Sequence, residues 1–340
     1  MTGRRITPTI KDVAERAGVS KSLVSLVMRQ ADNVSDERRR AVLEAARELG
    51  YRPNAMARSL VSQKSHVIGV TVSDLHNPFF TDVVDGIAAA AEEYGYRALL
   101  NSGDRIAMRE ERAVETFLQL RTDGVILLGT VIDDAAIDRI GRETPLVLAS
   151  RASRSKLVDS VATDDHAGSA IAVEHLVELG HHRIAHITGG SGAGARSRTR
   201  GFLAAMKRRG LADRARVVEG DYTEAGGIEG VDRLLSEGPP PTAVFAANDQ
   251  AAIGALRALS EAGLHVPGDV SVVGYDDTYL AAFEHINLTS VHQQRVSMGK
   301  AALQLLLERV DEGRTDPRHL TLQPALTVRG STAPPRPETR

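Results

Sequence analysis

Thr9-Ile-Lys-Asp-Val-Ala-Glu-Arg-Ala-Gly-Val-Ser-Lys-Ser-Leu-Val-Ser-Leu-Val-Met28 is the stretch that decides how this chain is read. Apolar residues recur at Ile10, Val13, Ala14 and Ala17, which makes a one-sided helical stripe. Thr9 stands at the N-cap and Asp12 three residues on, an acidic variant of the capping box. Gly18 ends this helix, because it takes a left-handed backbone at no steric cost. Ser20 caps a second helix at once. That helix turns Leu23, Val24 and Val27 inward and leaves Lys21, Ser22, Ser25 and Leu26 on another face. The pattern alone admits an ordinary helical hairpin. Two short helices around a glycine turn also fit a helix-turn-helix, whose second helix enters the DNA major groove.

Charge separates the two readings. Residues 1–65 hold 13 Lys and Arg against 7 Asp and Glu, a net +6, while the whole chain is −2, so the remainder is −8. A basic head on an acidic body fits a phosphate-binding surface. A third helix comes next: Ser35 caps it, Asp36 and Glu37 suit its positive end, Val42, Leu43, Ala46 and Leu49 form its stripe, and Gly50 closes it.

With Thr9 through Gly-Val-Ser20, Val34-Ser35 and Leu49-Gly-Tyr-Arg-Pro-Asn-Ala-Met-Ala-Arg-Ser-Leu60 on the page, the chain resembles the lac repressor (LacI/GalR) family of bacterial transcription regulators. The resemblance runs over essentially the whole chain. It implies a palindromic operator in double-stranded DNA, a small-molecule effector (a sugar or related metabolite) and a homodimer.

Bulk properties are consistent with this. A chain of 340 residues is long enough for more than one domain. It has no cysteine, which excludes disulfides, Cys-bound zinc and a thiol nucleophile. Its N-terminus lacks an apolar stretch of signal-peptide length, and no apolar run is long enough for a bilayer, so a cytoplasmic location without membrane attachment is the expectation. Neither a cofactor nor a metal set is expected.

Six segments are expected. Residues 1–8 form a basic arm and 9–52 the helix-turn-helix domain. Residues 53–63 form a linker too short to be helical alone, because nucleation costs more than so few bonds return. It reads either as a flexible tether or, by the resemblance, as a hinge helix that orders on DNA and wedges Leu60 into the minor groove. From His66 apolar strands alternate with amphipathic helices, which indicates βαβ units and a buried parallel sheet. The alternation restarts after Thr163. The fold class expected is therefore a three-helix head plus an α/β domain of two Rossmann-like lobes, similar to periplasmic sugar-binding proteins. One lobe takes 66–163 plus 293–323 and the other 164–292, with crossings near Thr163, His292 and Gln323. A helix is expected at Leu280–His285, a strand pair near Leu320–Arg329, and a disordered tail at 331–340.

Ligands in open α/β sheets sit outside the carboxyl ends of strands. The segments at those ends are Ser73 to Phe80, Ser150-Arg151, a Gly/Ser loop running into Arg196 to Arg200, Tyr222, Asn248-Asp249, Asp276-Asp277 and Gln293. Such polar groups and aromatic faces suit a polyhydroxylated ligand. The resemblance assigns ligand contact to Asn77, Phe79, Arg151, Arg198, Tyr222, Asn248, Asp276 and Gln293. Sugar-binding relatives often carry Asp-Arg where this chain has Ser150-Arg151. Other readings stand beside these: Asn248 or Asp249 as a helix cap, Asp276 paired with Arg198, Phe80 in the core, and His175, His181 and His182 as surface or packing residues. Asp164-Asp165 has no base, nucleophile or metal set near it in sequence. Gly189-Gly-Ser-Gly-Ala-Gly194 lacks the lysine of a nucleotide cradle.

On the head, the resemblance makes Lys21 and Ser22 the principal base readers. Leu26 departs from the Arg or His of many relatives and offers only apolar contact. Thr9, Ser20, Ser25, Arg29 and Asn33, with Ala57, Arg58 and Leu60 of the hinge, complete the expected DNA surface. Three functions compete: a ligand-responsive repressor, including a co-repressor mode of purine-repressor type; a solute-binding receptor, which leaves residues 1–65 unexplained; and an enzyme, for which no catalytic set is present.

Overall fold

The computed structural model describes residues 8–28, 33–51 and 64–336. Two compact units divide at Ser65 and His66.

In the first unit, helix α1 (Ile10–Arg16) starts where the Thr9 N–H and Oγ1 both donate to Asp12 Oδ2, at 2.7 and 2.8 Å. Gly18, at φ +65°, turns the chain so that the Val19 N–H returns to the Ala14 carbonyl. Helix α2 (Lys21–Met28) is capped by Ser20, whose Oγ accepts from the Leu23 N–H at 3.2 Å. Helix α3 (Asp36–Leu49) ends at left-handed Gly50. Val13, Val24, Val27, Val42, Ala45 and Ala46 form the core they share. One expectation fails: Leu43 is 45% exposed, and Ala45 takes its place on the buried stripe.

The second unit contains two six-stranded sheets. The first has the order β11-β5-β4-β3-β1-β2, from β1 (Val67–Val72), β2 (Arg97–Ser102), β3 (Gly124–Leu128), β4 (Leu146–Ala149), β5 (Asp159–Thr163) and β11 (His319–Leu322). The second has the order β12-β10-β9-β8-β6-β7, from β6 (Ile184–Ile187), β7 (Ala215–Val218), β8 (Ala243–Ala246), β9 (Ser271–Asp276), β10 (Thr289–His292) and β12 (Ala325–Thr327). The pairings are parallel except β10 with β12. Strands β3, β4 and β8 are buried along their whole length, as expected when helices cover both faces.

On the first sheet, α4 (Pro78–Glu93) and α11 (Arg295–Asp311) cover one face, and α5 (Ala107–Gln119) and α6 (Asp134–Glu143) the other. α4 and α11 cross closely, because a Cβ on Gly86 or Gly299 would strike the opposite helix backbone. On the second sheet, α7 (Asp165–Glu178) and α8 (Ala195–Arg208) share one core, and α9 (Glu224–Ser236) and α10 (Asp249–Glu261) the other. The chain passes between lobes three times: after β5, after β10, and between β11 and β12.

Three details differ from the sequence reading. Leu280–His285 is not an α-helix; a 3-10 turn covers Tyr279–Ala282. The strands near Leu320–Arg329 do not pair with each other, since β11 joins the first sheet and β12 the second. The tail is not disordered throughout. Ser331 is buried, with Oγ donating to the Val272 carbonyl at 2.6 Å and accepting from the Thr289 N–H at 2.8 Å. The Ala333 carbonyl accepts from Ser271 Oγ and meets His181 Nε2 at 2.8 Å, and Thr332 meets His175. Residues 337–340 lie outside the described residues.

Candidate effector pocket and DNA-reading helix

In each sheet the first strand lies between the second and third: β2-β1-β3 in one and β7-β6-β8 in the other. Loops leaving the first and third strands therefore run to opposite faces, and this switch point opens a crevice at the carboxyl edge. The two carboxyl edges bound a pocket lined from both lobes. One lobe lines it with the loop after β1 (Ser73, Asp74, Asn77, Phe80), Arg105 after β2, Gly129 and Val131 after β3, and Ser150 after β4. The other lobe contributes Gly192 and Ala193, Arg198, Tyr222 and Asp276.

Arg198 is the fixed centre. Its side chain is 5% exposed, with Nε 2.9 Å from Asp165 Oδ1, Nη1 donating to the Ala247 carbonyl, and Asp276 Oδ1 at 3.8 Å. The guanidinium carbon lies 3.7 Å from the Tyr275 ring centre and 5.4 Å from that of Tyr222. Burial opposes its charge, but Tyr222, Asp165, Tyr275 and Asp276 more than offset this and hold it firmly cationic. Asp165 thus finds its role as the partner of Arg198 and the Tyr275 hydroxyl, while Asp164 caps α7 through the Ala167 N–H.

Asp276, at φ +105°, accepts from Gln293 Nε2 at 2.7 Å. Gln293 in turn accepts from Thr163 Oγ1 at 2.6 Å. Burial pushes the Asp276 carboxyl above its ordinary value, against the pull of Arg198 and the Gln293 amide. Its backbone carbonyl takes Arg295 Nη1, and Arg295 Nε reaches Asp82 Oδ2 at 2.7 Å. The glycine loop serves Tyr222: a Cβ on Gly189 or Gly192 would collide with that ring, and the Tyr222 hydroxyl donates to the Ala193 carbonyl at 2.9 Å.

The expected ligand residues divide into two groups. Asn77, Arg198, Tyr222 and Asp276 converge on the pocket. Phe79 touches the same pocket, but it is 3% exposed in the first-lobe core, and half-buried Phe80 offers the larger aromatic face. Arg151 is turned away: Nη1 donates to the Thr130 and Ile132 carbonyls and Nη2 pairs with Asp134 at 2.6 Å. Ser150, at φ +63°, lines the pocket instead. Asn248 caps α10 through the Ala251 N–H and donates Nδ2 to the Tyr222 carbonyl at 3.0 Å, so it acts by positioning Tyr222. Gln293 lies behind Asp276 and positions it. Sequence reasoning missed Arg105, which comes after β2 and so answered to the same carboxyl-end rule.

On the head, Lys21 and Ser22 are exposed on the first turn of α2, and Asn33 is exposed. Thr9 and Ser20 act as caps. Ser25 is half-buried. Leu26 is also half-buried and packs on the head core, so only part of it remains for a base. Arg29, Ala57, Arg58 and Leu60 lie outside the described residues.

Residues 9–54 match the bacterial regulatory proteins of the lacI family, and residues 173–332 match the periplasmic binding protein-like domain. The ribose operon repressor of Escherichia coli (strain K12) is 37% identical over 327 residues, covering 95% of this chain and 99% of that protein. The chain belongs to the lacI family. Among solved structures, the lac repressor dimer bound to operator and the anti-inducer ONPF is 33% identical with a TM-score of 0.86, covering 96% of this chain and 99% of that one. A LacI family transcriptional regulator from Enterococcus faecium with bound ribose is 29% identical with a TM-score of 0.72, covering 79% of this chain and 99% of that one. As a lacI-family protein, the chain is a DNA-binding, ligand-regulated transcription regulator and not an enzyme. Among the described residues no cluster could hold a metal ion, and no helix is long and apolar enough to cross a membrane.

Proposed function

We propose that this lacI-family regulator represses transcription in the cytoplasm as a homodimer on a palindromic operator, and that a small polyhydroxylated metabolite in the interlobe pocket sets its operator affinity. The observation that carries the effector half is the convergence of Arg198, Asp276, Asn77 and Tyr222, from the carboxyl edges of both sheets, on one pocket. Buried carboxylate, guanidinium and amide groups discriminate by hydroxyl pattern, since a missing partner leaves one of them unpaired. D-ribose is the first ligand to include in the test panel, given the ribose operon repressor among the relatives. Ser150-Arg151 in place of Asp-Arg, with Arg151 turned away, sets this pocket apart from simple pentose sites.

The head supplies the reading surface: Lys21 and Ser22 for bases, and Thr9, Ser20, Ser25, Arg29 and Asn33 for phosphates. Residues 53–63, with Ala57, Arg58 and Leu60, are assigned to the minor groove. The first lobe supports the dimer, because Leu99, Leu100, Ile106 and Met108 stand exposed along and beside edge strand β2, where a second copy would cover them. Effector control needs only different ligand affinity in two lobe arrangements, which serves an inducer and a co-repressor alike.

The test is fluorescence anisotropy on duplexes recovered by binding selection, with a sugar, polyol and nucleobase panel added in turn. A preference for one palindrome over random duplex, weakening steeply between about 50 and about 200 mM salt, supports the DNA half. A panel member that shifts that affinity in the intact protein and not in Asp276→Ala supports the pocket. Equal affinity for palindrome and random duplex removes the reading.

A further inference from the structure

Two non-glycine segments with left-handed backbones approach each other across the mouth of the pocket. On the first lobe, Asp104 and Arg105 after β2 have φ of +50° and +57°; on the second, Tyr222 after β7 has φ +69°. Such conformations are costly and persist where the surroundings over-determine them. Here the determinants are visible. Ser102 Oγ donates to Asp104 Oδ1 at 3.0 Å, and Arg109 pairs with the other carboxylate oxygen. The Arg105 N–H donates to the Ser73 carbonyl at 2.8 Å, and the Ile106 N–H to the Gly103 carbonyl at 2.9 Å.

This turn carries the Arg105 side chain over the pocket, which it lines. Nη1 donates to the Asp221 carbonyl of the opposite lobe at 2.5 Å. Nε stands 3.8 Å from Asp74 Oδ2, and Asp74 Oδ1 accepts from the His76 N–H at 2.8 Å. The His76 carbonyl in turn accepts from Gln250 Nε2 of the second lobe at 3.1 Å. A continuous polar strap, Gln250–His76–Asp74–Arg105–Asp221, therefore closes the mouth, with Arg105 its cationic member. Asp221 directly precedes Tyr222, so the strap ends on the segment that carries the pocket's aromatic wall.

We propose that Arg105 is a lobe latch and a positioning residue for the effector: it favours the closed arrangement and holds the Tyr222 segment against the bound ligand. The latch spans two lobes, each with its own core, so losing it opens the mouth without unfolding either lobe. Its effector role rests on the pocket reading above; its closing role does not.

The test is amide hydrogen exchange on the full-length protein without ligand, comparing wild type, Arg105→Ala and Arg105→Lys. A charged donor bonded to a carbonyl is worth about tenfold in an opening equilibrium. Arg105→Ala is expected to raise exchange about tenfold at residues 220–223 and 74–77 and to leave β3 and β8 unchanged. Arg105→Lys keeps the charge near Asp74 but not the planar fork, and gives a smaller rise. Unchanged exchange at residues 220–223 in both variants overturns the latch. Should the alanine variant exchange faster throughout, the lysine variant decides by the same criterion. A second arm uses D-ribose: if ribose binds the wild type, Arg105→Ala weakens it about tenfold, and equal affinity removes the positioning role. Failure of ribose to bind the wild type counts against ribose as effector, while the exchange result stands by itself.

Discussion

The guanidinium of Arg198 lies against Tyr275, with its central carbon 3.7 Å from the ring centre, and its Nε bonds the same Asp165 oxygen that takes the Tyr275 hydroxyl. Three side chains of the second lobe thus lock one another. The planar fork of an arginine and its weak hydration make this possible; a lysine ammonium satisfies neither the stacking nor the divided hydrogen bonds. Arg198→Lys is expected to fold and to lose effector response, by tenfold or more at about 1.4 kcal/mol per decade. Arg198→Met leaves buried Asp276 and part-buried Asp165 without their cation and costs about 3–5 kcal/mol of stability. Urea unfolding separates the two, and calorimetry with the effector measures the first. Wild-type effector affinity in Arg198→Lys would remove Arg198 from the binding role.

The second large charged cluster lies in the first lobe. Asp159, fully buried on β5, takes Arg309 through Nε and Nη2 at 2.8 Å each, Arg314 Nη2 at 2.5 Å and the Arg318 N–H at 2.7 Å. These contacts staple α11 and the segment leading to β11 onto the middle of the chain. Burial raises the Asp159 carboxyl, but the bonds from Arg309, Arg314 and Arg318 outweigh it and hold the carboxyl below its ordinary 3.8. A depressed carboxylate stabilises the fold above its unfolded pKa, and that contribution is lost as pH falls through the lower folded value. Asp159→Asn is therefore expected to cost about 3–5 kcal/mol at pH 7 and progressively less below about pH 4. Denaturant unfolding at several pH values measures the gap; a gap independent of pH would show that the carboxylate charge contributes nothing.

Much of this architecture was legible because its signals are local. Thr9, Asp12, Gly18, Ser20 and Gly50 act within three or four residues of themselves, and apolar strands declare a buried parallel sheet. Phe79 could have been placed correctly as well: with Val83, Gly86, Ile87 and Ala90 it forms a helical stripe, and all five are buried. Arg151 could not. The left-handed backbone at Ser150 breaks strand alternation and turns Arg151 off the pocket, and no residue type announces it. Asn248 and Gln293 touch Tyr222 and Asp276, so their roles depend on partners 26 and 17 residues away. The docked tail depends on still longer reach: Ser271, His175 and His181 hold residues 62 to 157 positions distant.

His186 offers a pH signature. It is fully buried, stacked on Phe245 at 4.8 Å between ring centres, with Nδ1 2.9 Å from the Phe245 carbonyl and Nε2 without a partner. Burial lowers its pKa to about 4, against the raising effect of the Phe245 carbonyl. Between pH 4 and 6.5 the unfolded chain binds this proton and the folded chain does not, so stability falls on acidification, by about 3 kcal/mol over the whole window. Asp249 and Asp276 work in the opposite sense: burial raises both carboxyls, the folded state takes up protons first, and acidification favours it. The two effects mask each other in the wild type. The difference between His186→Phe and wild type isolates the histidine and should grow by about 2 kcal/mol from pH 7 to pH 5. Parallel stability curves for the two proteins would place the proton elsewhere.

Lys21 and Ser22 stand exposed on the first turn of α2, whereas Leu26, one turn on, is half-buried against the head core. Base discrimination should therefore concentrate at the first turn. A lysine that donates to guanine O6 and N7 contributes about 1–3 kcal/mol at a single base pair, while a phosphate contact weakens all sequences alike. Lys21→Ala is expected to flatten the preference at one position of each half-site by about fivefold to a hundredfold and to leave the ranking at other positions intact. Leu26→Ala, which removes packing as well as an apolar contact, should lower the thermal midpoint of the head more than it alters base preference. Binding selection on a randomised operator, with a thermal melt of each variant, distinguishes the two. A uniform loss across all sequences in Lys21→Ala would reassign that residue to the phosphate backbone, and the first turn would no longer be the reading surface.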